Sequence, residues 1–192
     1  MASILVVCTG NVCRSPIAEG LLRHALRERA GDAAPAVSSA GTAGWDGSGA
    51  MPESQEAARE LGVDLATHVA RRLTPALVAE ADLVVGMAGE HREAVGALGP
   101  QAAARAFTLK ELVRLLEQAP ADGELAARVA AADGLRRRGF EGNPWDEDVV
   151  DPLGLPLESY RAIAWELQEW TARLAECLVG PVPATVRGEE QA

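Results

Sequence analysis

The residues best suited to chemistry lie together near the start of the chain, in the run Cys8-Thr9-Gly10-Asn11-Val12-Cys13-Arg14-Ser15. A loop of this length between a strand and a helix directs its backbone N–H groups ahead of the helix N-terminus, where an anion is favoured. Arg14 carries a planar guanidinium that matches two oxygens of a phosphate group. Such an electropositive site favours the thiolate of Cys8. The run therefore predicts attack by Cys8 on a phosphoryl group, with formation of a phosphocysteine.

Three more side chains of this loop have predicted roles that follow from their chemistry. Gly10 lets the backbone approach a ligand closely, and Asn11 tolerates the left-handed conformation. The hydroxyl of Ser15 can donate a hydrogen bond to the sulfur of Cys8 and so assist its departure as a leaving group. The residues predicted to surround a bound phosphate are Thr9, Gly10, Asn11, Val12, Cys13, Arg14 and Ser15.

The elements around this loop are predicted to be a strand before it and a helix after it. Residues 3–7 form an apolar run without alternation, which is typical of a strand in a parallel sheet that is covered on both faces. Pro16 begins a helix in which apolar residues recur at helical spacing. Further apolar runs at residues 36–40, 82–87 and 106–107 alternate with helical segments. This order predicts an α/β fold with a doubly wound parallel sheet.

The second half of the chain adds a helix and two less regular segments. A long amphipathic helix is predicted over residues 157–178, where apolar residues recur every three or four positions. Residues 119–147 are rich in alanine, glycine and charge, and we interpret them as a partly helical surface insertion. We expect one domain over residues 1–179, followed by a flexible tail over residues 180–192.

Composition and charge exclude several classes of protein. The chain has 192 residues and a formal net charge of −10, from 18 basic and 28 acidic side chains, so nucleic acid and anionic membranes would repel it. Its three cysteines, Cys8, Cys13 and Cys177, are too few for a disulfide scaffold or for a zinc site built from four cysteines. We find neither a signal peptide nor an apolar run of membrane-spanning length. We therefore expect a cytoplasmic protein that binds no nucleic acid, membrane or metal.

The chain resembles the low-molecular-weight protein tyrosine phosphatases in several stretches besides the loop. In the order found in that family, these are Ser38-Ser39-Ala40-Gly41-Thr42, His68-Val69-Ala70-Arg71, Ala81-Asp82-Leu83-Val84 and Asp151-Pro152. The resemblance implies a four-stranded parallel sheet flanked by helices, with the phosphatase loop between the first strand and the first helix. It also implies a phosphorylated protein as substrate and a reaction without metal or organic cofactor. We expect a monomer.

The same resemblance implies a role for each residue of the site. Cys8 would be the nucleophile, while Arg14 and the loop amides would hold the phosphoryl oxygens and stabilise the transition state. Asp151 would protonate the leaving group and then activate water, a role that a positioned carboxyl group can perform, and Pro152 would stiffen the turn that aims it. A supporting hydrogen-bonded network would consist of Asn11, Ser15, Ser39 and His68.

The role of Cys13 has two interpretations. In the resembling family, a second loop cysteine protects the nucleophile by forming a disulfide with it, because an exposed thiolate is otherwise oxidised irreversibly. Cys13 would then be the redox partner of Cys8. Alternatively, Cys13 is simply a small buried residue.

Three residues predicted to lie at the pocket indicate the substrate, but they do not all favour the same one. Trp45 can supply an aromatic wall, and Val12 is apolar, which favours phosphotyrosine. Leu153, however, stands where the family's tyrosine phosphatases commonly have an aromatic residue. The turn at Asp151 is thus more similar to that of bacterial protein arginine phosphatases, which have a threonine at the position of Val12. We give Val12 and Trp45 more weight, so phosphotyrosine is the first hypothesis and phosphoarginine the alternative.

Two other classes of function are less consistent with the sequence. Some arsenate reductases share this fold and loop, but they use two further cysteines, and the chain has none between Cys13 and Cys177. A phosphate-binding module without catalytic activity would not need an acidic residue such as Asp151 near its anion.

Overall fold

A four-stranded parallel sheet forms the centre of the computed structural model, which describes residues 2–43, 45–119, 123–136 and 144–182. The strands lie in the order β2-β1-β3-β4, and every neighbouring pair is parallel. Their bounds are β1 Ser3–Cys8, β2 Ala36–Gly41, β3 Leu83–Gly86 and β4 Ala106–Thr108. This is the α/β fold with a parallel sheet that the sequence predicts.

Eight α-helices accompany the sheet in the described part of the chain. They are α1 Arg14–Ala30, α2 Pro52–Glu60, α3 Pro75–Glu80, α4 Gly89–Gly96, α5 Pro100–Ala103, α6 Leu109–Leu116, α7 Leu125–Arg136 and α8 Leu157–Val179. Two short 3₁₀ turns occupy Gly31–Ala33 and Pro144–Glu147. None of the helices in the described part combines the length and the apolar character of a bilayer span.

Strand β1 is apolar on both sides because helices cover both faces of the sheet. Ile4 and Val6 belong to a large core cluster with side chains of α1, α2, α6, α7 and α8. Leu5 and Val7 point to the opposite face and pack in a smaller cluster with side chains of α3, α4 and α5. Successive residues of a strand point to opposite faces, so an unbroken apolar run is what this environment requires.

The order of the strands creates a crevice at the carboxyl end of the sheet. The chain passes from β1 to its neighbour β2 and then crosses to β3 on the other side of β1. Ligands of such sheets bind beyond the carboxyl ends of the strands at the point where the strand order reverses. Here that point is the end of β1, where Cys8 lies beside Gly41 of β2 and Val7 beside Gly86 of β3.

The segment predicted as a surface insertion contains a helix that is packed against the domain. Val129 and Ala132 of α7 belong to the large core cluster. Arg136 donates hydrogen bonds to the carbonyl oxygens of Ala103 and Ala106, at 3.1 and 2.8 Å, and covers the ring of Phe107. Helix α7 is therefore joined to the edge strand β4. Residues 120–122 and 137–143 of the segment, and residues 183–192 of the predicted tail, lie outside the described residues.

Gly41 generates a first prediction, because the loop after β1 passes directly over it. A Cβ atom at Gly41 would lie 2.6 Å from the carbonyl oxygen of Thr9 and 2.9 Å from the amide nitrogen of Asn11. Backbone atoms cannot yield as a flexible side chain does. Gly41→Ala should therefore lower the free energy of unfolding by about 1–3 kcal/mol, the usual cost of overpacking, in urea denaturation.

Gly134→Ala serves as the matched control. Gly134 lies in α7 with nothing near its hypothetical Cβ atom. Alanine is the better helix former, so this variant should be more stable by up to about 1 kcal/mol. A Gly41→Ala protein as stable as the wild type would show that the loop can move away from β2 at no cost.

Candidate active site

The run of residues from Cys8 to Ser15 curls around a small pocket at the carboxyl end of β1. The pocket has a volume of about 50 Å³ and is lined by Cys8, Thr9, Gly10, Val12, Cys13, Arg14, Trp45, Asp151 and Leu153. Cys8 is buried at the end of the strand. Its Sγ atom lies 2.9 Å from Oγ of Ser15 and accepts a hydrogen bond of 3.3 Å from the backbone N–H of Asn11. The sulfur is thus surrounded by donors at the N-terminus of α1.

Asn11 holds the loop in its curled shape. Its φ of 58° lies in the left-handed region, the only such value among the described non-glycine residues. Its amide nitrogen donates to Oγ of Ser15 at 2.9 Å and to Oγ of Ser39 at 2.8 Å. Its amide oxygen accepts from the N–H of Arg71 at 3.0 Å, and its backbone oxygen lies 2.7 Å from Nε2 of His68. These contacts compensate for an unfavourable backbone conformation.

The directions of these hydrogen bonds follow from a residue that the sequence analysis missed, Glu19. Oγ of Ser39 donates its single hydrogen to Oε2 of Glu19 at 2.5 Å. Ser39 must then accept from Asn11, whose two amide hydrogens are used by Ser39 and Ser15. The hydrogen of Ser15 remains for Cys8. Glu19 lies four residues after Ser15 on α1, a spacing that places both on one helix face and could have identified it.

Arg14 is buried and is held by three oxygen acceptors. Its Nη1 donates to the carbonyl oxygen of Val149 at 3.0 Å. Its Nη2 donates to Oγ1 of Thr9 at 3.2 Å and to Oδ2 of Asp151 at 2.6 Å. Its Nε is buried and has no partner among the described residues. The guanidinium therefore lies beside the pocket, and its Nε–H group is still available to a ligand.

Asp151 also lines the pocket, and it lies on the segment between the 3₁₀ turn Pro144–Glu147 and α8. Its side chain is 40 % exposed, so the carboxyl group is accessible to solvent and to a substrate. Oδ1 accepts a hydrogen bond of 3.1 Å from the N–H of Leu153, and this contact holds the turn that begins at Pro152. The structure thus brings Asp151 to the site although 142 residues lie between it and Cys8, the last residue of β1.

A second residue that the sequence analysis missed is His91, on α4. Its side chain is completely buried, and Nε2 lies 3.0 Å from Oγ1 of Thr9 and 3.3 Å from Oε1 of Glu90. Burial and, secondly, the positive charge of Arg14 lower the pKa of His91 to about 4. The imidazole is therefore uncharged at neutral pH. No sequence signal pointed to it, because its contact with Thr9 spans 82 positions.

Cys13 is chemically different from Cys8, although both are free, buried thiols. Burial raises the pKa of Cys13 to about 11. Its Sγ atom lies 4.0 Å from the hydroxyl of Tyr160, whose own pKa burial raises to about 12. Cys13 therefore stays a neutral thiol around pH 7. Its role as a redox partner of Cys8 stays a prediction.

The mouth of the pocket is apolar. Trp45 and Leu153 line it, and the side chains of both are about half exposed. The indole of Trp45 lies against Gly10, since a Cβ atom there would be 3.1 Å from Cδ1 of the ring. Val12 is buried in the same wall. All the residues that the sequence analysis assigns to the site thus lie in this pocket or in the hydrogen-bonded network around Asn11. The described ranges hold no cluster of side chains suited to a metal ion.

Comparisons with known proteins agree with this geometry. The sequence model of the family described as low molecular weight phosphotyrosine protein phosphatase matches residues 3–124. A probable low molecular weight protein-tyrosine-phosphatase, EpsP of Ralstonia nicotianae, is 35 % identical over 137 residues, which are 70 % of this chain and 89 % of that protein. A protein-arginine-phosphatase of Geobacillus stearothermophilus is 32 % identical over 175 residues, which are 91 % of this chain and 95 % of that protein.

Solved structures give the same result over nearly the whole chain. The low molecular weight protein tyrosine phosphatase from T. tengcongensis superposes with a TM-score of 0.70 at 33 % identity, covering 93 % of this chain and 100 % of that one. The YwlE arginine phosphatase from Geobacillus stearothermophilus gives a TM-score of 0.68 at 31 % identity, covering 92 % of both chains. The chain therefore belongs to the low molecular weight phosphotyrosine protein phosphatase family of cysteine-dependent phosphatases.

Proposed function

We propose that this protein hydrolyses phosphotyrosine in protein substrates through a phosphocysteine intermediate on Cys8. The observation that carries the proposal is the position of the Cys8 sulfur at the N-terminus of α1, with Ser15 Oγ at 2.9 Å and the Asn11 N–H at 3.3 Å. Both donors stabilise a thiolate, and the helix dipole adds to their effect. A thiolate in an anion-binding pocket is positioned to attack phosphorus.

In the first step, the bond from sulfur to phosphorus forms while the bond from phosphorus to the phenolic oxygen breaks. The loop N–H groups and Arg14 hold the remaining phosphoryl oxygens, where negative charge must be stabilised in the transition state. The buried Nε of Arg14, which has no partner in the described part of the chain, is the donor available for this purpose. Asp151 gives its proton to the departing phenolic oxygen.

In the second step, the phosphocysteine is hydrolysed. Asp151, now a carboxylate, takes a proton from a water molecule, whose oxygen attacks phosphorus. The bond from phosphorus to sulfur breaks, and Cys8 departs as a thiolate that accepts the hydrogen bond of Ser15. Inorganic phosphate is released and Asp151 is again protonated, so the proton balance of the cycle closes.

The apolar mouth supports phosphotyrosine as the substrate. The enclosed pocket is small, at about 50 Å³, so the phosphoryl group would enter it while the ring stays between Trp45 and Leu153. An indole and a phenol ring interact favourably in stacked or edge-to-face arrangements. Val12 adds apolar surface on the loop side.

Phosphoarginine is the second candidate, and two observations favour it. Leu153 follows the Asp151-Pro152 pair in place of an aromatic residue. Relatives described as protein-arginine-phosphatases align with 91 % of this chain. Against it, Val12 has no hydroxyl to contact the N–H groups of a phosphorylated guanidinium. We therefore rank phosphoarginine below phosphotyrosine.

The compartment, the oligomeric state and the domain bounds are proposed as well. The free thiols of Cys8 and Cys13 are consistent with a reducing compartment such as the cytoplasm. We propose a monomer whose phosphatase domain spans residues 1–179, with residues 180–192 as its tail.

The role of Asp151 leads to a prediction about leaving groups. Asp151→Asn should lower kcat/KM for phenyl phosphate by about 10²–10⁴, because the phenolate, with a conjugate-acid pKa near 10, needs a proton as it leaves. With 2,4-dinitrophenyl phosphate, whose phenolate leaves without protonation, the loss should be much smaller. Steady-state kinetics with both esters measures the two ratios.

Asp32→Asn is the matched control for this experiment, since Asp32 is an exposed carboxylate in the 3₁₀ turn after α1. Its kinetics should equal those of the wild type with both esters. Equal losses for the two esters in Asp151→Asn would remove Asp151 from the role of general acid.

Val12 leads to a prediction about the substrate. With two peptides of one sequence that differ only in the phosphorylated residue, the wild type should have the higher kcat/KM for phosphotyrosine. Val12→Thr keeps the shape of the side chain and adds a hydroxyl, so it should shift the ratio at least about tenfold towards phosphoarginine. Val69→Thr, at an exposed valine outside the loop, should leave the ratio unchanged. A wild type that prefers phosphoarginine would contradict the proposed substrate but not the proposed reaction.

A further inference from the structure

A buried histidine that the proposed reaction does not use contacts the anion-binding loop. His91 lies on α4, the helix that follows β3, and its side chain is completely buried. Its Nε2 atom is 3.0 Å from the hydroxyl of Thr9, the residue directly after the proposed nucleophile. Its Nδ1 atom has no hydrogen-bond partner among the described residues, and its polar contacts there are made by Nε2, with Thr9 and Glu90.

The uncharged imidazole orients the hydroxyl of Thr9 in either of its tautomers. If Nε2 carries the hydrogen, it donates to Thr9, whose own hydrogen can turn to Oε1 of Glu90 at 3.4 Å. If Nε2 is unprotonated, it accepts the Thr9 hydrogen instead. In both cases a lone pair of the Thr9 oxygen is left for Arg14, whose Nη2 donates to it at 3.2 Å.

Of the three oxygen atoms that accept hydrogen bonds from Arg14, only that of Asp151 has a second task in the reaction. Asp151 must give a proton to the leaving group and take one from water, so it cannot remain a constant partner of the guanidinium. The hydroxyl of Thr9 and the carbonyl oxygen of Val149 have no such task. They are therefore the two contacts that can hold Arg14 throughout the cycle.

We propose that His91 is a positioning residue for phosphoryl transfer. By fixing the hydroxyl of Thr9 as an acceptor, it keeps the guanidinium of Arg14 in the orientation that presents Nε to the phosphoryl oxygens. The inference rests on the proposed role of Arg14 in the reaction. It assigns a function to a side chain of α4, a helix to which the proposed reaction gives no role.

A double-mutant cycle between His91 and Thr9 tests the proposal. His91→Leu and Thr9→Val each remove the contact and keep a similar shape. Each should lower kcat/KM for p-nitrophenyl phosphate by about tenfold, the size expected when a hydrogen bond near a charged group is lost. The double variant should be no slower than the slower single variant, because both changes break the same chain of contacts.

Two further variants separate positioning from packing. Nε2 of glutamine can replace Nε2 of histidine, so His91→Gln should regain most of the activity that His91→Leu loses. His24→Leu, at an exposed histidine of α1 that pairs with Glu28, should match the wild type. If His91→Leu does not fold, Thr9→Val and His91→Gln complete the test, since Thr9→Val should lower kcat/KM about tenfold while His91→Gln stays near the wild type.

Binding of inorganic phosphate, measured by calorimetry in the Cys8→Ser background, separates this inference from the proposed reaction. His91→Leu should weaken phosphate binding there by a similar factor, whether or not Cys8 is the nucleophile. Additive losses in the cycle, or a His91→Leu protein with unchanged kcat/KM and phosphate affinity and only a lower Tm, would overturn the positioning role.

Discussion

A chain of hydrogen bonds through Asn11 is the interaction on which the site depends. It starts at the carboxylate of Glu19, passes through Ser39 and Asn11, and ends where Ser15 donates to the sulfur of Cys8. Because each donor has a fixed number of hydrogens, the carboxylate at one end determines the direction of every bond. The same contacts keep Asn11 in a left-handed conformation. The shape of the loop and the stabilisation of the thiolate therefore have one origin.

The residues of this hydrogen-bonded network come from elements that are distant in sequence. The loop follows β1, Ser39 lies on β2, and Arg71 and His68 reach it from the segment before α3. Parallel strands place their carboxyl ends at one edge of the sheet, so these groups meet there. The net charge of −10 does not prevent anion binding at this point. Positive potential is local, from Arg14, the loop amides and the N-terminus of α1.

Parts of the site that are contiguous in sequence could be predicted from the sequence, whereas contacts between distant residues could not. The loop could be predicted because its spacing between an apolar strand and a Pro16-initiated helix has a direct physical meaning. Asp151 could be placed only through a family resemblance. His91 could not be found, since its contact with Thr9 spans 82 positions. Alanine and charge predominate in α7 and indicate a surface segment, although Val129 and Ala132 are buried in the core.

The most direct test of the account is to trap the intermediate. Asp151→Asn should form the phosphoenzyme from 2,4-dinitrophenyl phosphate and hydrolyse it slowly, so that rapid denaturation during turnover preserves it for mass spectrometry. One phosphate is expected on the peptide that contains Cys8, bound to sulfur, and none after the same treatment of a Cys8→Ala, Asp151→Asn double variant, which has no nucleophile at residue 8 and no longer turns over substrate. Phosphate on another side chain, or sustained turnover by that double variant, would contradict the mechanism.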